Sequence, residues 1–360
     1  MKATQTLHDR GQSIWLDNIT RNLLQSGTLK RYIDELSVTG LTSNPTIFDH
    51  AIKNSSAYDD SIRKKVREGK SGEDLFFELA LEDLTRAADL FRPIWDRTSG
   101  VDGWVSLEVS PVLAHDTQST LAAAKDLHKR AFRRNLLIKI PGTKEGLPAI
   151  EEAIFAGIPI NVTLLFSHRQ YQAAAEAFLR GIERRIDAGL DPVVGSVASV
   201  FISRWDTAVK DAVPEALRNQ LGIAVAKQTY KAYRALLGSP RWQRVFNSGA
   251  RPQRLLWAST GTKDPSASDV LYVRALAAPF TVNTMPEGTL KALADHGTVG
   301  GILTPDGGDS EEVLARFAAA GVDVEDLAAR LQDEGAKSFV ASWRELMGVI
   351  ASKNAALKAG

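Results

Sequence analysis

Short apolar runs alternate with longer stretches whose apolar residues recur at helical spacing. The runs Ile14–Asp17, Val38–Thr42, Trp104–Val109, Leu136–Ile140, Ile158–Leu164, Val197–Ile202, Leu255–Ala258 and Phe280–Asn283 read as strands. Between them, Tyr171, Ala174, Phe178 and Ile182 fall on one helical face, as do Phe339, Trp343, Leu346 and Ile350 near the C-terminus. Near-continuous apolar strands alternating with helices imply a parallel sheet covered by helices. Eight such units with no clear break predict a TIM (β/α)8 barrel with extra helices. A doubly wound sheet is the runner-up, but no Gly-x-Gly-x-x-Gly follows the first strand.

Residues 1–360 read as one barrel domain. Two connections are too long for single helices and predict helical insertions, about 49–103 and 207–254. The first holds a capped pair of helices around Ser71-Gly72-Glu73-Asp74. The tail, 309–360, is helical in pattern, and Asp309 with Glu312 resembles a capping box. The last helix is compatible with packing across the barrel or against a second subunit, which leaves a monomer and a homodimer both open.

Composition narrows the chemistry. Of 360 residues, 44% are hydrophobic, ample for a large core, and the formal net charge of +1 gives no basic field for nucleic acid. Cysteine is absent, so disulfides, thiolate metal sites and cysteine nucleophiles are excluded. The six histidines show no metal-ligand spacing, and His168 reads as structural at a helix start. No signal core or membrane-spanning run is evident, so a cytoplasmic location is expected, with no membrane or nucleic-acid partner.

In barrels of this kind chemistry sits at the C-terminal ends of the strands, and here most strands end in polar residues. They supply Asp17, the segment Thr42-Ser43-Asn44-Pro45, Glu108, Lys139, Asn161 with Thr163, Ser199 with Arg204 shortly after, and Ser259-Thr260. Each alone has a plain structural reading. Asp17 is a candidate N-cap for a helix beginning at Asn18, Asn44-Pro45 a turn, Glu108 a carboxylate in the solvated barrel mouth, and Lys139 a rim lysine. Together they describe a reaction. Lys139 is the only charge in Leu136–Pro141, and desolvation there would favour the neutral amine, a nucleophile toward a ketone. Asp17 is placed to move a hydroxyl proton during carbon–carbon cleavage. Glu108 and Thr163 would hold a water, Asn44 and Asn161 a polyol, and Arg204, Ser259, Gly261 and Lys263 a phosphate. A phosphorylated ketose is the expected substrate.

Three ordered segments carry a resemblance: Gly40–Phe48, Leu137–Gly146 and Asn161–Ser167. On these the chain resembles the transaldolases, from about Ile14 to the last helix, and looks closest to a longer subfamily, some of whose members are fused to an isomerase domain that this chain lacks. The resemblance implies an α/β barrel and reversible transfer of a dihydroxyacetone unit from sedoheptulose 7-phosphate to glyceraldehyde 3-phosphate, giving erythrose 4-phosphate and fructose 6-phosphate. It implies that Lys139 forms the Schiff base, Asp17 is the acid/base, and Glu108 and Thr163 hold the catalytic water. It further implies that Asn44 and Asn161 bind the dihydroxyacetone portion, that Ser199 and Arg204 keep the family's spacing with Arg204 a phosphate ligand, and that no metal or organic cofactor is needed. One departure stands out. Where many relatives carry an arginine two residues after the seventh-strand serine, this chain has Gly261, so Lys263 is the candidate substitute. Two other functions are compatible with the same residues: a fructose-6-phosphate aldolase-like enzyme releasing free dihydroxyacetone, and a non-catalytic sugar-phosphate binding protein.

Overall fold

In the computed structural model, residues 2–359 are described; Met1 and Gly360, which the sequence reading placed at the two ends of the domain, lie outside them. Eight parallel strands close into a barrel in sequence order. They are β1 (Gln12–Asp17), β2 (Val38–Thr42), β3 (Val105–Glu108), β4 (Leu136–Pro141), β5 (Ile160–Leu165), β6 (Ser196–Phe201), β7 (Arg254–Ala258) and β8 (Thr281–Met285). The expected TIM barrel with extra helices is the observed fold, and each strand falls within about two residues of its expected place.

Alternation along each strand divides the core. Ile14, Leu16, Ile138, Ile140, Ile160, Val162, Ala198, Val200 and Leu255 face outward and pack with the helices. Trp15, Leu137, Val197, Leu256 and Val282 belong to a second cluster that fills the barrel. Two residues further along the same inner face, the apolar filling gives way to Asp17, Lys139, Ser199, Ala258 and Thr284, which line a cavity at the C-terminal mouth. The strand period therefore builds an apolar floor under a mostly polar ring.

The floor is tightly fitted. Trp15 is fully buried, and its indole N–H donates to Asp102 at 2.8 Å. Asp102 also accepts from Ser13, whose oxygen takes a 2.7 Å bond from Arg254. Gly40 on β2 leaves room for this indole. A methyl group there would lie 2.6 Å from the Trp104 carbonyl oxygen and 2.7 Å from Trp15 Nε1.

The first insertion holds more helix than the expected pair, and the second holds a pair. The first contains Pro45–Lys53, Asp59–Arg67 and the long Gly72–Arg97; the second contains Leu221–Leu237 and Pro240–Asn247 after the short Ser203–Val209. The tail forms Ser310–Ala319 and Val324–Ala359, separated by a turn at Gly321 with φ of 85°. The capping box at Asp309 is not formed. Asp309 caps nothing with its side chain, because its Oδ1 accepts a 2.6 Å charge-assisted bond from Lys227. The terminal helix packs on its own barrel: Phe339, Trp343, Leu346 and Ile350 are all buried, and Trp343 packs edge-to-face with Phe76 and at a tilt against Phe77. Among the described residues, no helix is long and apolar enough to cross a membrane.

Because the floor has no slack at Gly40, Gly40→Ala is expected to destabilise the fold by about 1–3 kcal/mol through overpacking. Urea unfolding measures this, and an unchanged midpoint would show that Trp15 has room to move.

Candidate active site

Strand pairing assembles the centre of the site. Glu108 on β3 sits opposite Lys139 on β4, and Lys139 sits opposite Asn161 on β5. Glu108, Lys139 and Asn161 thus form one row across three strands. Lys139 is buried, with its Nζ 3.1 Å from Glu108 Oε2 and donating to the Ser43 carbonyl oxygen at 3.2 Å. The Glu108 contact is an ion pair and not a well-aligned hydrogen bond; neither Glu108 oxygen has a directed donor among the described residues.

Asp17 ends β1 opposite Thr42 on β2. The Thr42 hydroxyl donates to Asp17 Oδ1 at 2.8 Å and lies 2.7 Å from the Thr284 hydroxyl. Since a hydroxyl has one proton, Thr284 is the donor in that second contact. The surface Asp17 retains faces the cavity. No helix begins at Asn18: the next helix starts at Arg21 and is capped by Thr20, which rules out the capping role for Asp17. Asn44, in contrast, does cap a helix. Its Oδ1 accepts from the Ile47 N–H at 3.0 Å at the start of Pro45–Lys53, while the residue also lines the cavity.

Burial pushes the Asp17 carboxyl above the ordinary aspartate range, opposed by the Lys139 charge, the Thr42 hydrogen bond and Lys263. Burial likewise raises Glu108, with Lys139 pulling it back and Asp17 adding like-charge repulsion. The Lys139 charge thus offsets part of the cost that burial places on ionising both carboxyls.

Thr163 lines the cavity, and its buried hydroxyl has no protein partner among the described residues. Ser199 also lines it and donates to Asn161 Oδ1 at 2.7 Å. Asn161 itself is fully buried below the cavity wall, and its Nδ2 donates to Ser106 at 3.1 Å. Both ends of that amide are thus occupied by protein. Glu108 too stands behind Lys139 and outside the cavity lining.

Arg204 lies in the helix Ser203–Val209, its guanidinium 5.1 Å from the Phe201 ring and 5.8 Å from the Phe339 ring. Burial lowers its pKa from the usual arginine value, opposed by Glu108. On β7's following loop, Ser259 adopts a left-handed backbone with φ of 55°, and its hydroxyl meets that of Ser203 at 2.8 Å. Thr260 turns away, donating to Asn283 Oδ1 at 2.8 Å, while Gly261 and the exposed Lys263 reach the cavity.

The cavity so lined has a volume of about 130 Å³. Sequence reasoning gave no role to Thr42, Thr284, Phe201 or Phe339, all of which line it. Phe201 was findable, because it shares the inner face of β6 with Ser199 by alternation. Phe339 carried no signal: its spacing marks a buried helix face, not what that face covers. Among the described residues, no group of three or more His, Asp or Glu side chains could hold a metal ion.

The site's electrostatics predict a stability cost. A carboxyl whose pKa is higher folded than unfolded holds extra protons when folded, so stability falls as pH rises through the window between the two values. Asp17→Asn removes that partly buried charge and is expected to raise stability at pH 7 by on the order of 1 kcal/mol. The gain should shrink toward zero as pH falls below about 4, the unperturbed aspartate value. Urea unfolding across that range reads the difference; a less stable Asn variant at pH 7 would contradict it.

A family model described as transaldolase/fructose-6-phosphate aldolase matches residues 14–350. A transaldolase of Thermobifida fusca (strain YX) is 46% identical over 361 residues, covering 98% of each chain. A transaldolase of Arthrobacter sp. (strain FB24) is 46% identical over 96% of this chain and 95% of its own. A transaldolase of Parafrankia sp. (strain EAN1pec) is 44% identical, covering 97% of both.

Proposed function

Because this chain belongs to the transaldolase/fructose-6-phosphate aldolase family, we infer that it is a transaldolase, acting on sugar phosphates through a lysine Schiff base. The reaction is reversible transfer of a dihydroxyacetone unit from sedoheptulose 7-phosphate to glyceraldehyde 3-phosphate, giving erythrose 4-phosphate and fructose 6-phosphate. The observation that carries the residue assignment is the buried Lys139 amine, 3.1 Å from Glu108 and sharing its cavity with Asp17.

In this reading Lys139 passes a proton to Glu108 within their ion pair, the freed amine adds to the ketose carbonyl, and loss of water gives an iminium. Asp17, kept basic by burial, takes the proton from the hydroxyl on the far carbon of the bond that breaks, so that this carbon leaves as an aldehyde. The bonding pair moves into the iminium, the aldose phosphate leaves, and an enamine remains on Lys139. An acceptor aldehyde reverses the sequence, its oxygen taking the proton back from Asp17. Glu108 beside the amine, with the unpartnered Thr163 hydroxyl, handles the water and protons of imine formation and hydrolysis. Asn44 and Ser199 face the cavity to meet the substrate's hydroxyls. Asn161 acts on substrate through Ser199, whose hydroxyl it orients. Arg204, with no side-chain hydrogen bond or ion pair to other described residues, keeps its donors for the phosphate, and Ser259 with Lys263 complete that end where Gly261 offers no side chain. No further cofactor is required by this chemistry.

Borohydride reduction in the presence of fructose 6-phosphate, followed by peptide mapping, should place a dihydroxyacetone-derived adduct on Lys139, and Lys139→Ala should lose turnover. An adduct on another residue of active protein would sink the assignment. The aldolase reading is separated by fructose 6-phosphate alone. A transferase stalls until an aldose phosphate is added, whereas an aldolase releases dihydroxyacetone steadily.

Arg204→Ala is expected to raise KM for phosphorylated sugars by roughly 10- to 100-fold, the loss of one or two charge-assisted hydrogen bonds, with kcat little changed. Steady-state kinetics at fixed acceptor measure this. A fall in kcat at unchanged KM would move Arg204 into the chemistry.

A further inference from the structure

A transaldolase differs from an aldolase in the fate of one intermediate. The enamine on Lys139 must react with an aldehyde and not be lost as free dihydroxyacetone. Loss takes two steps: a proton is delivered to the nucleophilic enamine carbon, regenerating the iminium, and water then adds to the C=N carbon. The C–N bond breaks, returning the amine to Lys139 and the ketone to solution. Transfer uses the same electron pair to form a C–C bond. Water is needed to release product in either route, so what decides the outcome is whether bulk solvent reaches the enamine carbon before the aldehyde does.

The side chain placed to govern that access comes from outside the barrel. Phe339 lies in the terminal helix Val324–Ala359, is almost fully buried, and lines the cavity with its ring 5.6 Å from Lys139 Nζ. The same ring lies 5.8 Å from the Arg204 guanidinium. The helix is pinned on both sides of it. Before it, Gln332 Nε2 donates to the carbonyl oxygens of Gly142 at 3.1 Å and Leu164 at 2.9 Å, at the ends of β4 and β5. After it, Thr46 donates to Ser342 at 2.9 Å, and Trp343 Nε1 donates to Glu73 at 2.9 Å. An apolar ring is thus fixed over the reactive amine by polar anchors that span the barrel mouth.

We propose that Phe339 is a specificity-determining residue that partitions the Lys139 enamine toward aldehyde acceptors by shielding its carbon from bulk water. The aromatic ring performs two jobs at once. It closes the solvent side of the Lys139 pocket, and it packs against Arg204 without using any guanidinium N–H, leaving those donors for the phosphate of donor and acceptor.

The proposal rests on the Schiff-base reading of Lys139, and the experiment separates the two. Wild type, Phe339→Ala and Phe339→Leu are incubated with fructose 6-phosphate, with and without erythrose 4-phosphate or glyceraldehyde 3-phosphate. Free dihydroxyacetone and transfer product are quantified, and borohydride trapping at Lys139 is run on each protein. The expected result is a ratio of free dihydroxyacetone to transfer product raised about tenfold or more in Phe339→Ala, with Lys139 still trapped. Phe339→Leu, which keeps an apolar cover, should stay near wild type. Trappable Phe339→Ala partitioning like wild type, or Phe339→Leu releasing as much free dihydroxyacetone as Phe339→Ala, overturns the proposal while leaving the Schiff base intact. Failure to trap wild-type Lys139 overturns both. If Phe339→Ala does not fold, Phe339→Ser and Phe339→Leu give the comparison, and equal ratios in those two overturn it.

Discussion

The pairing of Glu108 with Lys139 across adjacent strands is the constraint on which the mouth of the barrel depends. Two opposite charges are held at 3.1 Å where almost no solvent reaches them. Desolvating such groups is costly, and mutual attraction only partly offsets it. Asp17 adds a third, partly buried ionisable group, and its repulsion of Glu108 raises the cost further. A barrel built for stability alone would fill these positions with apolar side chains, as it does two residues earlier at Trp15 and Leu137. The penalty is concentrated at the C-terminal mouth, where one amine and two carboxyls are brought together; in the proposed reaction these are the nucleophile and its proton carriers.

The rest of the structure holds that arrangement still. Strand register sets the row from Glu108 through Lys139 to Asn161, and backbone hydrogen bonding makes a slip costly, since it would turn every inner side chain to the wrong face. A second layer of hydroxyls then orients the working groups: Thr284 holds Thr42, Thr42 holds Asp17, and Ser106 with Ser199 holds Asn161. Below lies the fitted floor of Trp15, Gly40 and Asp102. Above lies the terminal helix, tied to the strand ends through Gln332. Precision at Lys139 is thus supplied from three directions, only one of which is the strand that bears it.

Much of this was legible in the sequence, for particular reasons. Parallel strands buried on both faces read as unbroken apolar runs, so all eight could be located. Lys139 was conspicuous because a single charge interrupts such a run. Asp17, Glu108, Thr163 and Ser199 followed from their places at strand ends. The capping box at Asp309 failed because Lys227, distant in sequence, competes for the carboxylate. Asn161 was placed on the correct strand, and what the sequence could not show is that its amide bonds Ser106 and Ser199 beneath the cavity wall. Its local pattern does not distinguish a ligand from a support.

What the sequence determined by itself was periodicity: which residues form strands, which face of each strand turns inward, and where polar residues replace apolar ones along that face. These are local properties, fixed by a repeat of two along the chain. What only the tertiary structure decided was proximity. The Thr284–Thr42–Asp17 relay, the Lys263 side chain at the cavity wall, and Phe339 over Lys139 join residues separated by up to hundreds of positions. No local pattern encodes such contacts, because they arise from closing the barrel and laying the last helix across its mouth.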